Sequence, residues 1–246
     1  MGVGLGRWLA RLVGMDADEY RQPRFVAPAG ATEILLVRHG ESAPARMDEP
    51  FPMVDGHGDP PLAPDGLEQA RLVGARLADE PIDALYTSPL QRTHQTAAPL
   101  VAITGLDPTI EPELREVHLG DWEGGSFRKH VAEGHPIAQE MFETGRWDAI
   151  PGAEANEAFS GRVTGALQRL HERHPDGRVA VFVHGGVIGA AVAHTVAGDP
   201  FRFAAVDNGS ITHLVLLSDW WHLRTYNDTG HLGPFLAAPA PVAPPG

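Results

Sequence analysis

Two kinds of apolar pattern run along this chain: short unbroken runs, and longer stretches in which apolar residues return at helical spacing. Ile34-Leu35-Leu36-Val37 and Val179-Ala180-Val181-Phe182-Val183 contain no polar residue and read as strands buried on both faces. Each runs into a histidine and a glycine, at Arg38-His39-Gly40 and at His184-Gly185-Gly186. Ile82–Tyr86 is predicted as a further strand and Thr109–Glu113 as a short edge strand. Ile211–Leu217 and Trp221–Tyr226 form a predicted strand pair joined at Ser218-Asp219. Leu67, Ala70, Val73, Gly74 and Leu77 recur at helical spacing behind Pro64, which predicts a helix over Pro64–Ala78. Ser88 before Pro89 reads as an N-cap with proline in the first turn of a helix running to Val101. Ala155–His174 reads as a long helix whose His171 and His174 belong to a solvated face, and Gly186–Val196 as a small-residue helix that packs tightly.

Between these elements the punctuation changes. Prolines at 44, 50, 52, 60 and 61 forbid a regular helix over Ala43–Pro61 and predict an ordered loop near a site. Its Asp55, His57 and Asp59 have the look of a metal cluster, but lining a pocket entrance suits a Gly/Pro-rich loop better. From His118 to about Gly152, glycines at 120, 124, 125, 134 and 145 punctuate a segment holding Trp122, Phe127, Met141, Phe142 and Trp147. This segment is predicted to be an inserted cap with one helix near Pro136–Glu143. Residues 1–30 form an N-terminal extension in which Arg7–Val13 could make one or two turns of amphipathic helix. Residues 31–230 form the domain, and 231–246 a Pro- and Ala-rich tail without pattern.

Composition narrows the function. The 246 residues, 43% hydrophobic and 21% charged, suit one large α/β domain. A formal charge of -13 argues against a nucleic-acid-binding face, and means that an anionic substrate must be drawn in by a local basic pocket. The absence of cysteine removes thiol catalysis, disulfides and thiolate-held zinc. No apolar run approaches a membrane span, and Arg7 and Arg11 interrupt the apolar start, so no secretion signal is read and the cytoplasm is expected.

The candidate chemistry sits at the two histidine-ended strands. A cation and an imidazole at the tip of a buried strand are costly unless they face a cleft and meet a partner. Gly40 removes side-chain bulk, so that a ligand can approach the backbone there. Ligands of open α/β sheets sit at such carboxyl-terminal strand ends, and two strands that end alike predict one site built from both.

Further segments follow in order: Leu62-Ala63-Pro64-Asp65-Gly66 with Gln69-Ala70, Ser88-Pro89-Leu90-Gln91-Arg92-Thr93-His94-Gln95-Thr96-Ala97, Leu114-Arg115-Glu116 with Gly120-Asp121-Trp122-Glu123-Gly124, and Asn208-Gly209-Ser210. With Arg38-His39-Gly40-Glu41 and His184-Gly185-Gly186, they resemble the histidine phosphatase superfamily, the phosphoglycerate mutase-like proteins, over roughly residues 32–218. The resemblance implies an α/β fold with a single doubly wound, mostly parallel sheet, helices on both faces and a small inserted cap. It implies His39 as a nucleophile that forms a phosphohistidine, Glu116 as proton donor, and a protonated His184 as the second histidine. Arg38, Arg92 and Gly185 are expected to bind the phosphate, and Ser42, His57 and Trp122 to line the substrate rim; no metal and no cofactor are required. A neutral imidazole is nucleophilic at one nitrogen when the other donates to a carbonyl, so such a bond is expected at His39.

The expected reaction is hydrolysis of a small phosphorylated metabolite, without nucleic-acid or membrane partners; a homodimer is left open. The chain departs from the family in lacking an asparagine shortly after the signature, where it has Ala43-Pro44-Ala45-Arg46. It also reads Gly152-Ala153-Glu154-Ala155 where many members have Gly-Glu-Ser. A mutase would carry a longer basic insert, whereas this one offers only Arg128, Lys129 and Arg146, so the phosphatase is favoured. A phosphatase-fold adaptor and a protein phosphohistidine phosphatase are the remaining alternatives.

Overall fold

The computed structural model describes Gln22 and residues 24–233, so the Arg7–Val13 stretch and nearly all of the tail lie outside the described residues. Strand β1 (Thr32–Arg38) leads through a loop carrying the two-residue strands β2 (Met53–Val54) and β3 (His57–Gly58) into helix α1 (Pro64–Leu77). Strand β4 (Ala84–Thr87), helix α2 (Gln91–Thr104) and strand β5 (Thr109–Ile110) follow. The cap then contributes α3 (Ser126–Ala132) and α4 (Pro136–Thr144). Helix α5 (Asn156–Arg173), strand β6 (Arg178–Val183) and helices α6 (Gly185–Val196) and α7 (Phe201–Ala204) precede the hairpin β7 (Ile211–Leu217) and β8 (Trp220–Asp228).

The main sheet has the order β5-β4-β6-β1-β7-β8. Strands β5, β4, β6 and β1 run parallel, and β7 pairs antiparallel with both β1 and β8. Alternation along the central strands sends Ile34, Leu36, Val179 and Val181 to one face, against α5 and α6. Leu35, Val37, Ala180 and Phe182 go to the other, against α1 and α2. Both faces are therefore covered, and burying side chains such as Leu36 and Phe182 contributes about 1.5–3 kcal/mol each. The register pairs Arg38 with Val183, so the residues that follow, His39 and His184, leave the sheet side by side.

Several local expectations are revised. Ser88 is not the N-cap of α2: Leu90 holds that position without a side-chain bond, and the Ser88 hydroxyl is used elsewhere. Strand β5 stops at Ile110 and gives way to a 3-10 turn at Pro112–Leu114, because proline cannot donate to the ladder. The cap holds two helices rather than one; α3 has no buried residue, so no apolar face marks it in the sequence. His171 and His174 do not form a solvated face: His171 is buried with Nδ1 2.9 Å from Thr32 Oγ1. His174 Nε2 stands 2.9 Å from the Tyr86 hydroxyl. Ahead of β1, Phe25 stacks on His222 of β8 and lies under the Arg224 guanidinium. Among the described residues, no helix is long and apolar enough to cross a membrane.

Candidate active site

Backbone bonds fix the end of β1 from every side. Arg38 N donates to Ser210 O, His39 N to Val183 O, and Gly209 N to Arg38 O, all at 3.0–3.1 Å. Asn208 Nδ2 donates to the His39 carbonyl at 2.9 Å, while the next two amides, of Gly40 and Glu41, donate to Thr96 Oγ1 and Gln69 Oε1. The side chains of α1 and α2 thus serve as braces for the Arg-His-Gly turn. Gly40 meets a neighbour rather than a ligand: a Cβ there would lie 2.4 Å from the Gly66 carbonyl, and one on Gly66 2.0 Å from the Glu41 carbonyl. The expectation of close ligand approach at Gly40 is replaced by an interlock of two glycines.

His39 is 7% exposed, and its Nδ1 stands 2.7 Å from the Gly40 carbonyl. A carbonyl accepts, so Nδ1 carries the proton and Nε2 the lone pair. Burial, then the Arg92 and Arg38 charges, hold the His39 pKa well below 6.5, which keeps the ring neutral and nucleophilic. The His184 ring lies 5.2 Å from it, centroid to centroid, and is fully buried. Burial and Arg92 likewise push the His184 pKa well down, so in the unliganded site this histidine is neutral rather than protonated. Its Nε2 is 2.8 Å from Ser88 Oγ, which also accepts from Leu90 N. Ser88 Oγ also lies 3.1 Å from Thr93 Oγ1; where its hydrogen goes to His184 Nε2 the imidazole proton sits on Nδ1, an atom with no partner among the described residues.

Two arginines close over these rings. Arg92, at the first turn of α2, donates to the Gly58 carbonyl at 3.0 Å and lies 3.7 Å from Asp59. Burial pushes its pKa down to about 10, with Glu116 and Asp59 opposing, so it stays charged at neutral pH. Asp59 spends its carboxylate on Arg92 and on the Gln91 amide at the start of α2. Arg38 donates through Nη1 to the Val206 carbonyl, and its buried Nε has no partner among the described residues. A buried donor left unpaired costs about 1–3 kcal/mol, a cost that an anion bound here would remove. Glu116 completes the group, its Oε1 accepting from Val117 N at 3.0 Å and its Oε2 from Gly186 N at 3.1 Å.

The arrangement is a buried neutral nucleophile among cations, with a carboxyl alongside. Residues 34–229 match the family model of the histidine phosphatase superfamily (branch 1). The chain belongs to this superfamily. Phosphoglycerate mutase-like protein 4 of Arabidopsis thaliana is 33% identical over 81% of this chain and 86% of that protein. The metal-independent phosphoserine phosphatase of the same plant is 32% identical over 82% of this chain and 83% of its own length. Among solved structures, mycobacterial glucosyl-3-phosphoglycerate phosphatase superposes with a TM-score of 0.67 at 25% identity, over 81% of this chain and all of that one. Members of the superfamily related to this chain are thus phosphatases and mutase-like proteins, which makes an enzyme of it.

Over the histidine phosphatase site, the cap and the loop ahead of α1 cover a half-open cavity of about 190 Å³. Arg38, His39, Arg92 and Glu116 form its floor, while Phe51, Trp122, Phe127 and Trp147 supply an aromatic roof. The three expected rim residues, Ser42, His57 and Trp122, all line it. Gly185 does not line it; a Cβ there would meet the Ala204 carbonyl at 2.7 Å, so this glycine serves the packing of α6 on α7. Sequence reasoning missed Arg128 as a site residue. From α3 its guanidinium donates to Ser42 Oγ at 2.6 Å and to Ala43 O at 2.8 Å, adding a third arginine to the wall. Ser88 reads in the sequence only as a helix cap, and Thr96 and Asn208 carry no signal there beyond their motifs; each holds backbone or a ring at this site.

Proposed function

We propose that this protein is a metal-independent phosphomonoesterase that hydrolyses the phosphate ester of a small metabolite through a phosphohistidine on His39. The observation that carries the reading is the fixed tautomer of His39: with Nδ1 bound to the Gly40 carbonyl, Nε2 is a free nucleophile among Arg38, Arg92 and Arg128. In the first half-reaction Nε2 attacks phosphorus, the ester bond breaks, and the departing oxygen takes a proton from Glu116. In the second, water gives a proton to the Glu116 carboxylate and attacks the phosphohistidine, releasing phosphate and restoring His39. The arginine forks and the His184 N–H hold the equatorial oxygens through both steps.

The size of the roofed cavity, about 190 Å³, supports a compact alcohol. A second cleft of about 600 Å³ shares Arg38, His39, Ser42 and Arg128 with this cavity and adds Met47 and Lys129, so it offers room for a larger part of the ester. This reading carries with it a cytoplasmic enzyme with no nucleic-acid or membrane partner. Its test is hydrolysis of p-nitrophenyl phosphate with excess chelator, wild type against His39→Ala, followed by a panel of phosphorylated metabolites that includes phosphoserine. Chelator-resistant turnover lost in the variant is expected. Well-folded wild type without turnover, but with bisphosphoglycerate-dependent isomerisation, would replace the phosphatase by a mutase.

A further inference from the structure

One arginine outside the cavity is engaged more fully than any in it. Arg162, on α5, is all but buried, with 10% of its side chain exposed, and every nitrogen of its guanidinium is used. Nη1 donates to the carbonyls of Glu113 at 2.7 Å and Arg115 at 2.8 Å, and Nη2 to that of Glu116 at 2.8 Å. Nε and Nη2 also form a two-pronged pair with Glu154 at 2.7 and 2.8 Å. Burial works to raise the Glu154 pKa, but the bonds from Arg162 outweigh it and leave this carboxyl below its ordinary value, firmly ionised. The segment gripped in this way, 113–116, has no ladder of its own: it is a 3-10 turn followed by extended chain.

The grip reaches the reacting side chain from two directions. The carbonyl of Glu116 itself is one of the three held. The guanidinium also stacks 4.7 Å from the centre of the Phe159 ring. Phe159 in turn lies 3.3 Å from where a Cβ on Gly186 would sit, and Gly186 N is the donor that holds Glu116 Oε2. Backbone and carboxyl of Glu116 are therefore both referred to a single side chain. A lysine would place one point charge there and could not span three carbonyls and a carboxylate.

We propose that Arg162 is a positioning residue for leaving-group protonation, aiming the Glu116 carboxyl at the ester oxygen by clamping the 113–116 backbone. The proposal rests on the phosphatase reading above, in which Glu116 is the proton donor. A displacement of about 1 Å in a reacting group can cost on the order of 100-fold in rate, so loss of the clamp should act on protonation while sparing the nucleophile and the arginines of the floor.

The test compares two esters. The p-nitrophenolate group departs without a proton, whereas the alkoxide of glycerol 2-phosphate needs one. Arg162→Lys should lose roughly 100-fold in kcat/KM on glycerol 2-phosphate and stay within about threefold on p-nitrophenyl phosphate. Glu116→Gln should show the same split in kcat/KM while its kcat falls on both esters, because the carboxylate also takes the proton from water in the second half-reaction; the double variant should be no worse than Glu116→Gln alone. Glu154→Gln, which keeps the guanidinium and removes its counter-charge, should show the pattern at about a tenfold scale, and it carries the test if Arg162→Lys fails to fold. Equal losses on both esters for the Arg162 and Glu154 variants, with Glu116→Gln still selective, would overturn the clamp alone. Equal losses in kcat/KM for Glu116→Gln itself would remove the proton-donor assignment and the clamp with it.

Discussion

On the cavity floor Arg38 and His39 stand at the end of a buried strand whose neighbour delivers His184 behind the lining, while on the roof Trp122, Arg128 and Trp147 stand on 3-10 turns and a short helix. The floor is held by backbone ladders, by side-chain braces from two helices, and by glycines in contact. The roof keeps a small core of Trp122, Ala138, Met141 and Ile150, shares Leu119 and Trp147 with the main core, and makes polar contacts such as Arg128 to Ser42 and Glu123 to the Gly58 amide. Its backbone also needs glycine where the floor needs close packing: Gly120 has φ +55°, and a Cβ there would lie 2.2 Å from the Pro151 carbonyl. The difference assigns tasks. On the proposed phosphatase reading, the floor fixes which bond is made and broken, and the roof decides which alcohol is admitted.

That division can be broken from either side. The largest effect belongs to the floor: His39→Ala should lower kcat on every ester by on the order of 10⁴-fold or more, because it removes the attacking nitrogen. Arg92→Ala follows, with a loss of about 10²–10³-fold read as kcat/KM, the cost of one charge aimed at the transferred group. Gly66→Ala probes the floor without touching a reacting atom. The added Cβ would drive into the Glu41 carbonyl, so a chemical melt should show about 3 kcal/mol lost, with catalysis falling in proportion to unfolded protein.

Arg128→Ala sharpens the comparison from the roof. It should raise KM about tenfold, the worth of one charge-assisted bond, while kcat on p-nitrophenyl phosphate changes by less than about threefold. An equal collapse of kcat would mean that roof and floor act as one unit.

Acid is the mildest probe. His39 and His184 are held well below 6.5 in the folded chain by burial and by Arg92, so below about pH 6.5 only the unfolded chain takes up these protons. Stability is then full above that pH and falls as the pH drops, by up to about 1.4 kcal/mol per unit and per histidine. Melting temperatures from pH 8 down to 5 should show the decline, and His184→Gln should flatten it. A profile that is level through this window, or that rises toward acid, would show that these histidines are not neutral in the fold.

How far the sequence reaches follows the same line. Strands of uninterrupted apolar residues, each closed by histidine and glycine, are local signals, and the histidines they deliver are adjacent because β1 and β6 pair. What escapes is partnership across distance. Ser88 reads as a helix cap because Pro89 follows it, yet its hydroxyl is taken by His184, 96 residues away. Arg162 sits in an ordinary helical stretch, and nothing near it announces that it serves a loop 46–49 residues earlier. Arg128 shows as one of a few cap cations, but α3 has no buried face to orient it. Gly40 shows that a Cβ is missing and not that Gly66 is the reason. The family's ordered motifs supply the missing distances for the floor; on the roof they reach Trp122 through Gly120–Gly124 and stop short of Arg128 and Trp147.

The measurement that tests the central claim most directly is a rapid quench of the enzyme with substrate in alkali, followed by peptide mapping of the phosphorylated residue. Phosphate on His39, stable to alkali, lost in acid and absent from His39→Ala, is the result expected. Turnover without any phosphorylated His39, or a label that persists in the variant, would contradict the nucleophile and with it the account of the floor.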